Sequence, residues 1–97
     1  MQMKSRENTR PLTSTQIRAA RGLLRWSADD LAREAALGLA TIRRAEAAEK
    51  ETTMTAANDL AVRRALEVAG VEFIDENGGG PGVRLKKRQQ KKAQRTA

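Results

Sequence analysis

Apolar residues recur at helical spacing through the first two thirds of the chain, and the period then shortens to that of strands. Behind Pro11, Thr13 and Gln16 have the spacing of a capping box, in which the hydroxyl takes a free backbone N–H and the amide reaches back. Ile17, Ala20 and Leu24 follow on one face, with Leu23 beside them, which predicts a first helix over 14–25. Leu12 is expected to pack ahead of it as a staple, with Arg18, Arg21 and Arg25 on a solvated face. Ser27 and Asp30 form a second box, and Asp29 and Asp30 suit the positive end of a helix dipole. Leu31, Ala32, Ala35 and Ala36 make the stripe of a short helix over 28–35, broken by Gly38. A third helix is predicted over 39–48, with Ile42 and Ala45 inward and Arg43 and Arg44 outward. Residues 49–55 read as a loop, and Thr53 or Thr55 caps a fourth helix over 56–69. Leu60, Ala61, Ala65, Leu66 and Ala69 form its predicted inner side and Arg63, Arg64 and Glu67 its outer side, with Gly70 just past its end.

Beyond Gly70 the chain reads "VEFI", then the turn-rich "DENGGGPG", then "VRL", a hairpin signal with a long loop. Two strands alone are marginal in water, so Val71, Phe73, Val83 and Leu85 are expected to pack on the helices or pair with another chain. The expected fold is mainly α: a four-helix helix-turn-helix domain over 12–70 followed by a β-hairpin over 71–86, with disordered stretches at 1–11 and 87–97. Trp26, Leu31, Ile42, Leu60, Leu66 and Phe73 are the expected main core residues.

Composition narrows the chemistry. In 97 residues there is no Cys, His or Tyr, which removes disulfides, thiolate nucleophiles, the usual zinc ligands and the usual general base near neutral pH. Three serines without a base make no catalytic site, so no enzyme activity, metal or cofactor is expected. Trp26 and Phe73, the only aromatic residues, are too few for stacking single-stranded bases. "GGGPG" lacks the Lys-Ser/Thr of a phosphate loop. With no apolar leader and no membrane-length apolar run, a soluble cytoplasmic protein is expected.

The formal charge of +7 points to an anionic partner, but its placement qualifies that. Residues 1–11 carry +2, residues 12–85 carry −1, and the last twelve carry +6 from Lys86, Lys87, Arg88, Lys91, Lys92 and Arg95. The tail suits a sequence-blind electrostatic arm on phosphates, and the body must bind through clustering.

Two short helices joined by a tight turn describe a helix-turn-helix. The segment "WSADDLAREAALGLATIRRAE" resembles the corresponding part of the phage-repressor-like (XRE) regulators, through Trp26, Ser27, Leu31, Ala32, Thr41, Ile42, Arg44 and Glu46. The resemblance spans about 12–70. It implies a transcriptional regulator whose third helix enters the major groove of operator DNA, acting as a dimer on a pseudo-palindrome. The implied base-facing residues are Leu39, Ala40, Arg43 and Arg44, with Arg43 foremost because guanidinium bonds guanine bidentately. Implied phosphate contacts are Thr41 and the start of the second helix at Ala28. The chain departs from the pattern with Ala36 for the usual turn glycine, Gly38 for a polar cap, Leu39 and Ala40 for polar readers, the acids Glu46, Glu49 and Glu51, and a hairpin in place of a fifth helix.

A looser similarity, in "RRALEVAGVEFIDENGGGPGVRL", is to small antiactivators of rhizobial integrative and conjugative elements. It implies a regulator that blocks another transcriptional regulator by protein contact, through an apolar surface of Leu37, Leu39 and Ala40. An antitoxin whose tail folds onto a toxin is a third reading.

Overall fold

The computed structural model of the protein describes residues 11–75 and 78–86. Among them are four helices, α1 (Ser14–Leu24), α2 (Ala28–Ala35), α3 (Leu39–Ala47) and α4 (Ala56–Val68), followed by strands β1 (Val71–Ile74) and β2 (Gly82–Leu85). This is the mainly helical fold with a C-terminal antiparallel hairpin that the periodicity predicts. The expected disordered stretches lie outside the described residues, apart from Pro11.

The caps explain why the helices begin and end where they do. Both capping boxes form, Thr13 with Gln16 and Ser27 with Asp30, and the Thr55 hydroxyl accepts the Asn58 N–H. α1 ends where Arg25 turns left-handed at φ 59°, and α2 where Ala36 does the same. These reversals let the N–H of Trp26 donate to the Arg21 carbonyl and that of Leu37 to the Ala32 carbonyl, both at 2.9 Å. Gly70, at φ 112°, turns the chain from α4 into β1.

Leu12, Ile17, Leu31, Ile42, Val62, Leu66 and Val71 are fully buried, with Ala20, Ala32 and Ala45 closing the gaps between helices. Each large side chain contributes roughly 1.5–3 kcal/mol. Leu12 is drawn in by more than its side chain: its N–H donates to Asp59 Oδ1 (3.1 Å), and its carbonyl accepts the Thr52 N–H (3.1 Å). The Ser14 N–H donates to the Lys50 carbonyl (2.8 Å), so the loop before α4 is stitched to the start of α1.

In the hairpin Val71 faces Leu85 and Phe73 faces Val83. Gln16 Nε2 donates to the Gly82 carbonyl at 3.1 Å, which ties β2 to α1. The Arg63 guanidinium lies 5.0 Å from the centre of the Phe73 ring, a cation–π contact that ties β1 to α4.

Four expectations need correction. On α4 the inward face is Val62, Arg63 and Leu66, whereas Leu60 is exposed. The face is turned because Asp59 meets the Leu12 N–H and Arg63 covers Phe73. Trp26 and Phe73 are half-buried, packing against the core from its edge. Leu85 is exposed, as is Arg84 beside it at the end of β2. Arg21 is not a solvated surface residue, for a reason that belongs to α3.

Candidate nucleic-acid interface

α2 and α3 are joined by three residues, Ala36 to Gly38, and pack on each other through Leu31, Ala32, Ala35, Ile42 and Ala45. That packing turns the opposite side of α3 to solvent. Ala40, Arg43, Arg44 and Ala47 are exposed there, and Thr41 and Leu39 are half-exposed at its margins. No ion pair or side-chain hydrogen bond to another described residue engages Arg43 or Arg44.

The acid expected to oppose phosphate on this helix is turned away. Glu46 is buried and receives a two-pronged hydrogen bond from Arg21 of α1, Nε to Oε2 at 2.7 Å and Nη2 to Oε1 at 2.8 Å. Their side chains are 10% and 22% exposed. The carboxylate's hydrogen bonds raise the Arg21 pKa further above its already high ordinary value. Arg21 Nη1 also donates to the Trp26 carbonyl (2.8 Å), so one guanidinium joins the end of α1 to α3.

α1 also holds the backbone at this C-terminal end of α3. Arg18 Nη1 donates to the Glu46 carbonyl (2.9 Å) and Ser14 Oγ to the Ala48 carbonyl (2.7 Å), satisfying carbonyls that a helix terminus leaves open. Two cations at this end also complement the helix dipole. α3 is therefore held from behind at its C-terminal end, while its front carries two guanidiniums that no other described residue engages. Sequence reasoning missed this role of Arg18 and Arg21; the one signal available was that Glu46 closes the repressor-like pattern.

The remaining candidates fall in three places. Thr41 and Arg44 line an open groove of about 190 Å³ with the loop residues Thr53 and Met54 and with Thr55 and Asn58 at the start of α4. Ala28 opens α2, but beside Asp29 and Asp30, which pair with Arg33 at 3.2 and 2.8 Å. Hydrogen bonds from the Ser27 backbone and hydroxyl hold the Asp30 pKa below its ordinary value. That end of α2 is therefore supplied with its own anions. Leu37 and Leu39 are half-buried against the core, which leaves Ala40 as the exposed member of the proposed apolar contact. Lys86 is exposed at the end of the hairpin; Lys87, Arg88, Lys91, Lys92 and Arg95 lie outside the described residues.

No described helix is long and apolar enough to cross a membrane, and no described group of three or more acidic side chains is arranged to hold a metal. A comparison of the sequence with models of known protein families returns no match, and no curated protein matches it.

Proposed function

We propose that the protein is a small transcriptional regulator that docks α3 in the major groove of operator DNA. The observation that carries this reading is the outward face of α3, where Arg43 and Arg44 stand exposed and unengaged by any other described residue, while Glu46 is withdrawn into the pair with Arg21. Short, almost side-chain-free positions at Ala40 and Ala47 let the helix approach base edges closely, and Arg43 supplies the two-pronged donor that guanine accepts. The basic residues from Lys86 onward add a phosphate-binding arm without sequence preference.

The test is a gel-shift or anisotropy titration against the DNA upstream of the protein's own gene, with random DNA as competitor, at physiological salt. A preferred sequence is expected, and Arg43→Ala should weaken its binding by about 1–3 kcal/mol, roughly 5–150-fold, without altering the fold. Equal affinity for every sequence would overturn the reading.

A second reading, an antiactivator acting by protein contact, is favoured by the carboxylates of Asp29 and Asp30 at the end of α2, where a DNA-docked domain would meet phosphate. Ala40→Asp separates the two, because Ala40 is exposed and the change leaves the core intact. Both readings place Ala40 in an interface, so the variant is assayed with DNA and with the candidate regulator in parallel. The partner whose binding it abolishes is the one that α3 serves.

A further inference from the structure

β2 is the more exposed strand of the hairpin. β1 carries the fully buried Val71 and packs on α4 and α1, whereas β2 packs on α1 and ends in the exposed run Arg84, Leu85 and Lys86. The register fixes where its backbone groups point. The Lys86 N–H donates to the Gly70 carbonyl at 2.8 Å, so residues 82, 84 and 86 bond across the hairpin, and Val83 and Leu85 turn their N–H and C=O to the outer edge. No described residue bonds those outward groups. An edge of this kind is a template for a further strand. Its side chains alternate as well. Val83 and Leu85 share the helix-facing side, with Leu85 still 45% exposed, and Arg84 and Lys86 share the other. Arg84 gives Nε and Nη2 to Glu72 at 3.1 and 3.2 Å and keeps Nη1 for a further acceptor.

We propose that this edge receives an extended segment of another protein, in which apolar and acidic residues alternate, as an antiparallel third strand. Main-chain bonds to Val83 and Leu85 supply the affinity, and the alternation supplies the selectivity. The segment's apolar side chains lie beside Val83 and Leu85 and cover the exposed leucine, while its carboxylates lie beside Arg84 and Lys86. Charge excludes the other occupants. The β2 strand of a second copy would set Arg84 and Lys86 against the same cations. The chain's own flanks are basic too: residues 1–10 hold Lys4, Arg6 and Arg10 against Glu7, and residues 87–97 hold five cations and no acid. A DNA backbone would meet the cations, but it neither pairs with a strand edge nor covers Leu85. The hairpin packs on α1 and α4, and α3 on α1 and α2, so the proposal stands apart from what α3 binds.

An NMR titration of the full chain at physiological salt tests it, with an eight-residue peptide of alternating valine and glutamate as the probe. Saturable shifts centred on Val83 to Lys86 are expected, with hydrogen exchange of the Val83 and Leu85 amides slowed by about fivefold or more. In antiparallel pairing the residues opposite Val83 and Leu85 exchange both hydrogen bonds with them, and these are the peptide's valines. The same peptide N-methylated at its valines should therefore bind about tenfold more weakly. So should a peptide of the same composition with its valines and glutamates in two blocks, which keeps the charge and loses the alternation. Leu85→Ser and Lys86→Glu, both at exposed positions, should each weaken binding by about threefold or more with unchanged circular dichroism. Equal binding of the block or N-methylated peptide would reduce the contact to charge attraction and overturn the proposal. Shifts that leave the Val83 and Leu85 amides unprotected, or that arise with duplex DNA and not with the peptide, would also overturn it. Operator binding through Arg43 is measured separately, so failure at the hairpin is not failure of α3.

Discussion

At the residue scale, the same side-chain type plays opposite parts according to what packs beside it. Glu46 and Glu49 are both acids near the end of α3, yet Glu46 is buried in the pair with Arg21 and Glu49 is exposed. Removing Glu46 leaves the Arg21 guanidinium partly buried beside the Trp26 carbonyl without its main partner. Glu46→Ala is therefore expected to cost about 2 kcal/mol, a fall in Tm of roughly 8–16 °C, against less than about 0.5 kcal/mol for Glu49→Ala. Thermal melts of the two variants give the comparison, and equal melting points would show that the pair contributes nothing. Ala36 offers the converse case. Its left-handed backbone at φ 59° crowds its Cβ against the carbonyl, a strain of roughly 1–2 kcal/mol that glycine avoids, offset in part by glycine's greater freedom when unfolded. Ala36→Gly should thus stabilise the fold by about 0.5–1 kcal/mol, measured by urea denaturation. A loss of stability would mean that the methyl group makes packing contacts worth more than the strain.

At the scale of elements, the hairpin depends on the helices it covers. Two strands do not hold themselves together in water, and β1 and β2 are fixed through Val71 in the core, Phe73 beneath Arg63, and Gly82 on Gln16. Phe73→Ala removes the ring from that arrangement while leaving Val71 in place. It should cost about 2–3 kcal/mol and speed hydrogen exchange of the β1 and β2 amides more than those of α2 and α3. Uniform acceleration across all elements would show instead that the hairpin is an integral part of the core. The helix boundaries were legible in the sequence because caps are local: Thr13, Ser27 and Thr55 each act within three residues. The rotation of α4 was not, because it is decided by Leu12, forty-seven positions from Asp59, and by Phe73 beyond the helix. A hydrophobic stripe counted from α4 alone favours Leu60 over Arg63, and those two contacts reverse the choice.

At the scale of the whole molecule, carboxylates pull stability in opposite directions as pH changes. Asp59 is half-buried, and burial raises its pKa, with the Leu12 N–H and Arg63 acting the other way. A raised carboxyl pKa contributes stability at low pH that is lost as pH rises through it. Asp30, held down by the Ser27 hydrogen bonds, and Glu72, held down by Arg84, contribute stability above their ordinary range that is lost on acidification. Asp59→Asn isolates the first effect: the stability of the native chain relative to this variant should increase as pH falls from about 7 to about 3. Denaturation curves across that range check it, and a relative decrease would mean that the Leu12 hydrogen bond outweighs burial. The charge of the whole chain likewise resolves by place. Six of its positive charges sit in the last twelve residues, and the body between 12 and 85 carries a net charge of −1 with Arg43 and Arg44 exposed side by side on α3.

The sequence by itself determined the four helices, the side-chain caps of α1, α2 and α4, the three-residue turn between α2 and α3, and the hairpin, since each depends on interactions within a few residues or on a simple period. It also placed Arg43 and Arg44 on the outer side of α3, where packing of Ile42 and Ala45 leaves them. Tertiary structure alone decided which charges stay available. Arg21 and Glu46 are twenty-five positions apart on different helices, and their pairing buries an acid that a reading along the chain leaves beside the guanidiniums. Tertiary structure also decided that α4 shows water an apolar face, because the core claimed Arg63 through Phe73 and left Leu60 and Val68 outside. Local propensity sets where a helix lies in the chain, and contacts from distant residues set which way it faces.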